Sequence, residues 1–298
     1  MKILFNIVRR NLKLFFKDKG MFFSSLITPI ILLVLYAAFL AKTYRDSFAS
    51  ALPDGVTIPN SVLNGTVASQ LISALLAVSC VTVAFCSNLL MIQDKANGSI
   101  RDFTVSPVRR SAVAAGYYIA SAASTLIVTI SALAVCMIYI ANQGWYMTFS
   151  DVLLVIIDVV LLTLFGTALS SCVNFFLSTS GQASAVGTIV SAGYGFICGA
   201  YMPIASFGEG LQKVLSFMPG TYGTCLLKNH MMRGVFAEME NLGFPPEVMK
   251  EVRDGVDYNI YFFDNHVSVS AMYTVLIGAI LLFTGLFVLF HIMKRRAK

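Results

Sequence analysis

Charge is scarce in this chain. Asp, Glu, Lys and Arg make up 12% of its 298 residues, where an average soluble domain carries roughly 25%. That excludes a solvated surface over most of the molecule. Nucleotide loops are lacking too. No GxxxxGK segment followed by Ser or Thr occurs, so the chain does not take ATP by a phosphate-cradling loop of that kind. HExxH, GxSxG and paired His/Cys ligands are missing as well, which leaves no catalytic residue and no metal site to assign and speaks against a membrane enzyme. Cysteine offers no disulfide framework. Cys80, Cys86, Cys136, Cys172 and Cys198 fall inside apolar runs and only Cys225 lies outside them, so all read as small packing residues. If the protein does work, the energy comes from a partner, an ion gradient or the membrane potential.

What is present is apolar surface, 57% of the residues, in runs long enough to matter. A stretch of roughly 18 or more apolar residues crosses a bilayer as a helix. The sequence gives candidate spans at 22–41, 67–91, 113–141, 151–177, 183–202 and 270–292. The predicted class is therefore an all-α integral membrane protein with six transmembrane helices. A cleaved signal peptide fits poorly, because the first span is too long for one and about twenty charged or amphipathic residues precede it.

Lys and Arg counts orient the spans, since positive loops stay cytoplasmic. The first twenty residues carry six basic side chains, the loop after the second span carries Lys95, Arg101, Arg109 and Arg110, and the tail carries Lys294, Arg295, Arg296 and Lys298. The segment 203–269 has five basic against eight acidic residues, a net −3. Both termini and the loop are predicted inside and 203–269 outside. The overall +6 is thus a topology signal rather than a nucleic-acid footprint.

Residues 1–20 read as an interfacial amphipathic helix. Lys2, Asn6, Arg9, Arg10, Lys13 and Lys17 share one face at 100° spacing; Leu4, Phe5, Val8, Leu12, Phe15 and Phe16 share the other. Its basic side would meet lipid head groups or a cytoplasmic partner, or act only as a topogenic anchor. The fifth span carries small residues at every fourth position, Ala183, Gly187, Ser191, Gly195 and Gly199, and the third repeats the pattern with Ala112, Gly116, Ala120 and Ser124. Such rows let backbones approach in lipid. They serve packing within the chain or, for Gly187, Ser191, Gly195 and Gly199, a subunit interface and substrate path. Asp158 is the one ionisable residue well inside a span. It is either a proton or cation site or a carboxylate near the outer interface that stays hydrated or protonated, and the second reading is preferred because coupled carriers usually bury several acids. Gln70, Ser73, Ser79, Thr82, Ser87, Asn88 and Asn174 line a wet cavity or bond across helices. Pro203, Pro219, Gly220, Pro245 and Pro246 divide 203–269 into two short apolar stretches, 207–218 and 221–237, read as a re-entrant pair in the outer leaflet, followed by an acidic cap. His230 and His266 read as surface or packing residues.

The stretch between the second and third spans, "QDKANGSIRDFTVSPVRRS", sets six charges among nineteen residues. Gly98 allows a tight turn, Ile100, Phe103 and Val105 form an apolar face, and Pro107 ends the segment. Asp94, Lys95, Gly98 and Ser99, then Phe103, Val105, Pro107, Val108, Arg109 and Arg110, are similar to the cytoplasmic loop of the type-2 permease family of ABC exporters. "SGQASAVGTIVSAGYGFICGAYMPI" resembles that family's glycine-rich span, and "LSFMPGTYGTCLLKNHMM" its membrane-dipping segment. The chain departs at Asp94, where Glu is commoner, and at Ala96 and Asn97, where a second charge is usual.

The resemblance implies one transmembrane domain over 21–298, with residues 93–111 as a coupling helix that seats on a separate ABC ATPase subunit. Asp94, Lys95, Gly98, Ser99, Arg101, Phe103, Pro107 and Arg109 would make that contact. It also implies a second permease subunit, the same chain or a related one, and an exporter in the cell membrane for a small amphipathic compound, peptide or lipid. No cofactor would be bound here; ATP and Mg would sit on the ATPase. Two other functions remain open at this stage: an ion-coupled carrier centred on Asp158, and a membrane assembly factor that transports nothing.

Overall fold

The structure, a computed structural model, describes residues 2–50, 58–100, 103, 108–263 and 265–296. Among these, helices dominate. The one sheet is a short antiparallel pair, β1 (Tyr261–Phe262) and β2 (Asn265–His266), with Tyr261 opposite His266.

The chain opens with α1 (Lys2–Lys17) and α2 (Lys19–Leu35). Asp18 separates them and caps α2, its carboxylate accepting from the Met21 N–H at 3.1 Å. After Pro29, α2 passes at Tyr36–Leu40 into a single π turn and then into α3 (Ala41–Ser50). Helix α4 (Asn60–Ser87) breaks at Asn88 and resumes as α5 (Leu89–Ala96). Next come α6 (Arg110–Gln143), α7 (Phe149–Phe176) and α8 (Ser180–Ile197). A 3-10 turn at Ile204–Ser206 leads to α9 (Glu209–Leu215), α10 (Pro219–Asn241) and α11 (Pro246–Gly255), and α12 (Val269–Arg296) closes the chain.

Among the described residues, five stretches are long and apolar enough to cross a membrane: Lys19–Asp46, Asn60–Ala96, Ser111–Gln143, Phe149–Phe176 and Val269–Met293. These correspond to five of the expected spans. The expected fifth span, 183–202, is helical only as far as Ile197, glycines and serines dilute its apolar content, and it does not join that group.

Helix α4 is the hub, buried on almost every side. Its polar side chains are short and turn their hydroxyls onto their own backbone: Thr66 to Val62, Ser73 to Gln70, Thr82 to Val78 and Ser87 to Val83. Others reach across. Ser87 meets Thr125 of α6 at 2.8 Å, and the Asn88 amide donates to Ser170 and Ser171 of α7 at 2.9 and 2.8 Å. Interhelical bonding thus accounts for Ser87 and Asn88, while Gln70 Oε1 and Ser79 Oγ have no hydrogen-bond partner among the described residues. Small residues bring the backbones together. A Cβ on Gly166 of α7 would lie 2.9 Å from the Cys80 carbonyl and the Val81 Cα.

The expected short stretch 221–237 is part of a longer element. Helix α10 runs 23 residues, roughly 34 Å, and is buried for most of its first four turns. It lies antiparallel to α7: Gly223 is packed on Leu162 and Gly234 on the Tyr146 carbonyl just before α7 begins. Its end near Gly223 therefore sits far down α7, and its other end emerges at the α6–α7 loop.

The two-faced picture of α1 needs correction. The side against the bundle is Ile7, Asn11 and Phe15. Ile7 seats on Gly116, where a Cβ would overlap it, so the small-residue row of α6 receives α1. Phe5 and Phe16, on the adjacent face, stay exposed, and Arg9, Lys13 and Lys17 form a third, basic face. A bundle-facing side, an exposed apolar side and an exposed basic side divide the helix where a hydrophobic/polar reading expected two faces.

Candidate functional site

Three groups of residues carry the chemistry, and the first is the loop after α5. Asp94 is buried and turned inward. Arg10 of α1 donates to it through two nitrogens, at 2.6 and 3.2 Å, and the Tyr117 hydroxyl of α6 donates to the same carboxylate. The hydrogen bond to Asp94 raises the Arg10 guanidinium above its ordinary value, against the opposing effect of partial burial. Phe103 joins this cluster. Its ring stands edge-on to Tyr117 at 6.4 Å between centroids, and the Arg10 guanidinium lies 5.4 Å from its centre. Lys95 reaches the other way, donating to the carbonyls of Asn174, Phe175 and Leu177 at 3.0 Å each. It thereby caps the C-terminus of α7, where unpaired carbonyls and the helix dipole favour a cation.

Gly98 follows the end of α5 with φ +78, a left-handed turn that suits glycine, and Ser99 is half-buried beside it. Arg109 stands apart from the cluster as the exposed N-cap residue of α6. Arg101 and Pro107 lie outside the described residues.

The second group lines a groove of about 980 Å³ between α2 with its π turn and α8. One wall is Ile27, Ile31, Leu35, Tyr36 and Phe39; the other is Gly187, Thr188 and Ser191. Nothing lies within 4 Å of a Cβ added to Gly187, so that glycine opens space. Gly195 does the opposite work: the Tyr201 ring folds onto it, and the Tyr201 hydroxyl donates to the Ser191 carbonyl at 3.1 Å. Gly199 takes φ +70 at the end of α8, hemmed in by Ile204 and Asp257.

The third group is polar and deep. Asp158 is fully buried. Its Oδ2 is 2.6 Å from His230 Nδ1 of α10, and the Tyr273 hydroxyl of α12 donates to Oδ1 at 2.7 Å. His230 is thus a buried partner, not a surface residue. Near the start of α7, Asp151 pairs with Arg233 of α10. Lys228 and Asp257 form a further buried pair at 3.0 Å, with Lys228 also donating to the Gly199 carbonyl at 3.1 Å. Asp257 accepts the Ile204 and Ala205 N–H groups as well.

Sequence reasoning missed Arg10 as a partner of Asp94, and it missed Tyr117, His230 and Lys228. Arg10 left a trace, since it stands at the edge of the basic face nearest Ile7 and Leu14 on a helical wheel. Tyr117 shares a helix with the small-residue row but carries no spacing signal of its own.

A family model described as "ABC-2 type transporter" matches residues 3–231, which takes in α1, the loop, the groove and most of α10. No curated protein and no solved structure matches the chain.

Proposed function

The chain belongs to the ABC-2 type transporter family, and from that premise we propose that it is the membrane half of an ATP-driven exporter which moves a small amphipathic compound, peptide or lipid outward. As a member of that family it is a multi-pass permease subunit with a transport role. The observation that carries the finer reading is the groove between α2 and α8. It is apolar, it is lined by one helix with a π turn and another opened by Gly187, and π turns are frequent where a helix must do more than pack.

In this reading two such chains, identical or related, face each other and alternate the exposure of a cavity between them. Residues 93–111 seat on a separate ATPase that holds the ATP and Mg. The ATPase closes on ATP, the loop moves, and α1 moves with it through the Arg10–Asp94 pair. α2 follows across Asp18. Residues 1–20 lie in the inner interface and 21–298 form one membrane domain in the cell membrane, with both termini cytoplasmic. α8 serves as a sixth, shortened span, and α9 with α10 forms the re-entrant outer segment. The exit from α8 is held by Lys228 and Asp257.

The test is reconstitution with the candidate ATPase in proteoliposomes. ATP-dependent movement of an amphipathic probe, lost when the ATPase is omitted, is expected. A purified chain that never recruits an ATPase, with transport that survives ATP depletion, would overturn the reading. One observation favours a second reading, an ion-coupled carrier: Asp158 and His230 form a titratable pair inside the bundle. Loss of transport in Asp158→Asn, with no ATP dependence in the parent protein, would support it.

A further inference from the structure

The first turns of α6 are built from small residues, Ser111, Ala112, Ala114, Ala115 and Gly116. Of these, Ser111, Ala114 and Ala115 lie on the side toward the last turns of α12, while Gly116 receives Ile7 of α1. Helices α6 and α12 meet at Tyr118, whose hydroxyl is 3.2 Å from Thr284 Oγ1 and whose ring centre is 6.1 Å from that of Phe287. Beyond that contact, toward the start of α6 and the end of α12, the side chains on α6 are too short to fill the gap. A cavity of about 1020 Å³ remains.

Its walls divide by chemistry. Ala115, Ile119, Val288 and Ile292 make an apolar face, and Ile119, Val288 and Ile292 are each more than a third exposed. Both helices are candidate spans, so these side chains face hydrocarbon in a membrane. At the mouth stand Arg109 and Ser111. The Arg109 carbonyl accepts from the Ala112 and Val113 N–H groups, but its guanidinium has no hydrogen-bond or ion-pair partner among the described residues and makes no side-chain cap bond to α6. The first N–H groups of a helix lack intrahelical acceptors and carry partial positive charge. An exposed guanidinium, a hydroxyl and the start of a 34-residue helix therefore converge on one spot at the rim of an apolar slot.

We propose that this cavity binds one anionic phospholipid, with its phosphate at Arg109 and Ser111 and an acyl chain along Ala115, Ile119, Val288 and Ile292. A zwitterionic lipid matches the slot but leaves its own cation beside Arg109. A soluble anion satisfies Arg109 but leaves the apolar wall uncovered. Basic pockets between spanning helices at a membrane surface are a recurrent way to hold acidic lipids. The inference rests on α6 and α12 as spans and not on the transport reading, so each stands or falls separately.

The experiment uses the purified full chain in detergent, with phosphatidylglycerol or phosphatidylcholine titrated into the micelles and bound lipid counted by native mass spectrometry. Wild type is expected to retain phosphatidylglycerol about fivefold better than phosphatidylcholine, the preference that one basic side chain confers near a charged head group. Arg109→Gln should remove that preference. Ala115→Trp, which fills the slot, should reduce retention of both lipids. Arg109 is exposed, so its variant keeps the test valid even if the tryptophan variant is not recovered. Lys250→Gln removes an exposed basic side chain from α11, which does not line the cavity, and should change nothing. Equal retention of the two lipids by wild type, an unchanged preference in Arg109→Gln, or an equal loss in Lys250→Gln would each overturn the proposal. So would displacement of phosphatidylglycerol by millimolar inorganic phosphate, which would mark the site as one for a free anion.

Discussion

Asp158 has both carboxylate oxygens committed, one to His230 and one to Tyr273, and no exposed surface. Removing one member of such a pair strands the other, which in buried pairs is destabilising by about 3–5 kcal/mol, whereas replacing both with apolar residues is often close to neutral. Asp158→Leu and His230→Leu should therefore each lower the thermal midpoint of the detergent-solubilised protein substantially. The double variant should recover much of the loss, leaving only the Tyr273 hydroxyl without its acceptor. Strictly additive losses would mean the two groups do not act as a pair. Half of this pair was legible in the sequence and half was not. An acid in an apolar run announces itself, because burial of a charge demands a partner. His230 stands 72 residues away in a segment whose depth the sequence left open, and a lone histidine has no spacing that names its contact. The same limit applies to Lys228 and Asp257, which looked like ordinary charges of an external segment until the fold buried them together.

At the level of elements, α1 is held to the bundle at two places that differ in kind. Ile7 on Gly116 is packing, and Arg10 on Asp94 is a charge-assisted contact with Phe103 laid against it. The turn at Gly98 and the charged character of the loop could be read from the sequence, since glycine and charge are local signals. The inward direction of Asp94 and Phe103 could not, because it depends on a helix more than eighty residues earlier in the chain. Arg10→Met breaks two hydrogen bonds to a carboxylate, each worth about 1.5–3 kcal/mol when well buried. Arg10 is 35% exposed, which places the loss toward the low end. The expected result is a loosened α1 in a folded protein: trypsin cleavage at Lys13 and Lys17 about tenfold faster, with Arg10→Lys intermediate. Phe103→Asp should do the same, and on the proposed coupling route it should also lower recovery of the ATPase. Unchanged protection in Arg10→Met would show that the Ile7 and Phe15 contacts hold α1 without the ion pair.

For the molecule as a whole, five of the apolar runs the sequence marked as spans are helices long and apolar enough to cross a membrane, because a long apolar run is a strong local signal. The sequence was least informative about α8, where the same glycines that lower the apolar content also shape the groove. Those glycines do not share one task. Gly195 and Gly199 sit where a side chain would collide with Tyr201 or with Ile204 and Asp257, so structure alone requires them. Gly187 meets nothing, and in a helix interior glycine is less favourable than alanine by about 0.8–1.0 kcal/mol. A helix that retains an unfavourable glycine facing an open groove is giving up stability for space or for backbone freedom. Gly187→Ala should therefore raise the thermal midpoint slightly and leave ATPase association intact. Gly187→Trp should fold as well, since the groove has room for the ring, yet lower ATP-dependent transport at least tenfold by occupying the path. If both variants transport at the parental rate, the groove between α2 and α8 is a lipid-facing recess and the path lies elsewhere in the assembly. If both fail to fold, Gly187 belongs with Gly195 and Gly199 as a packing residue.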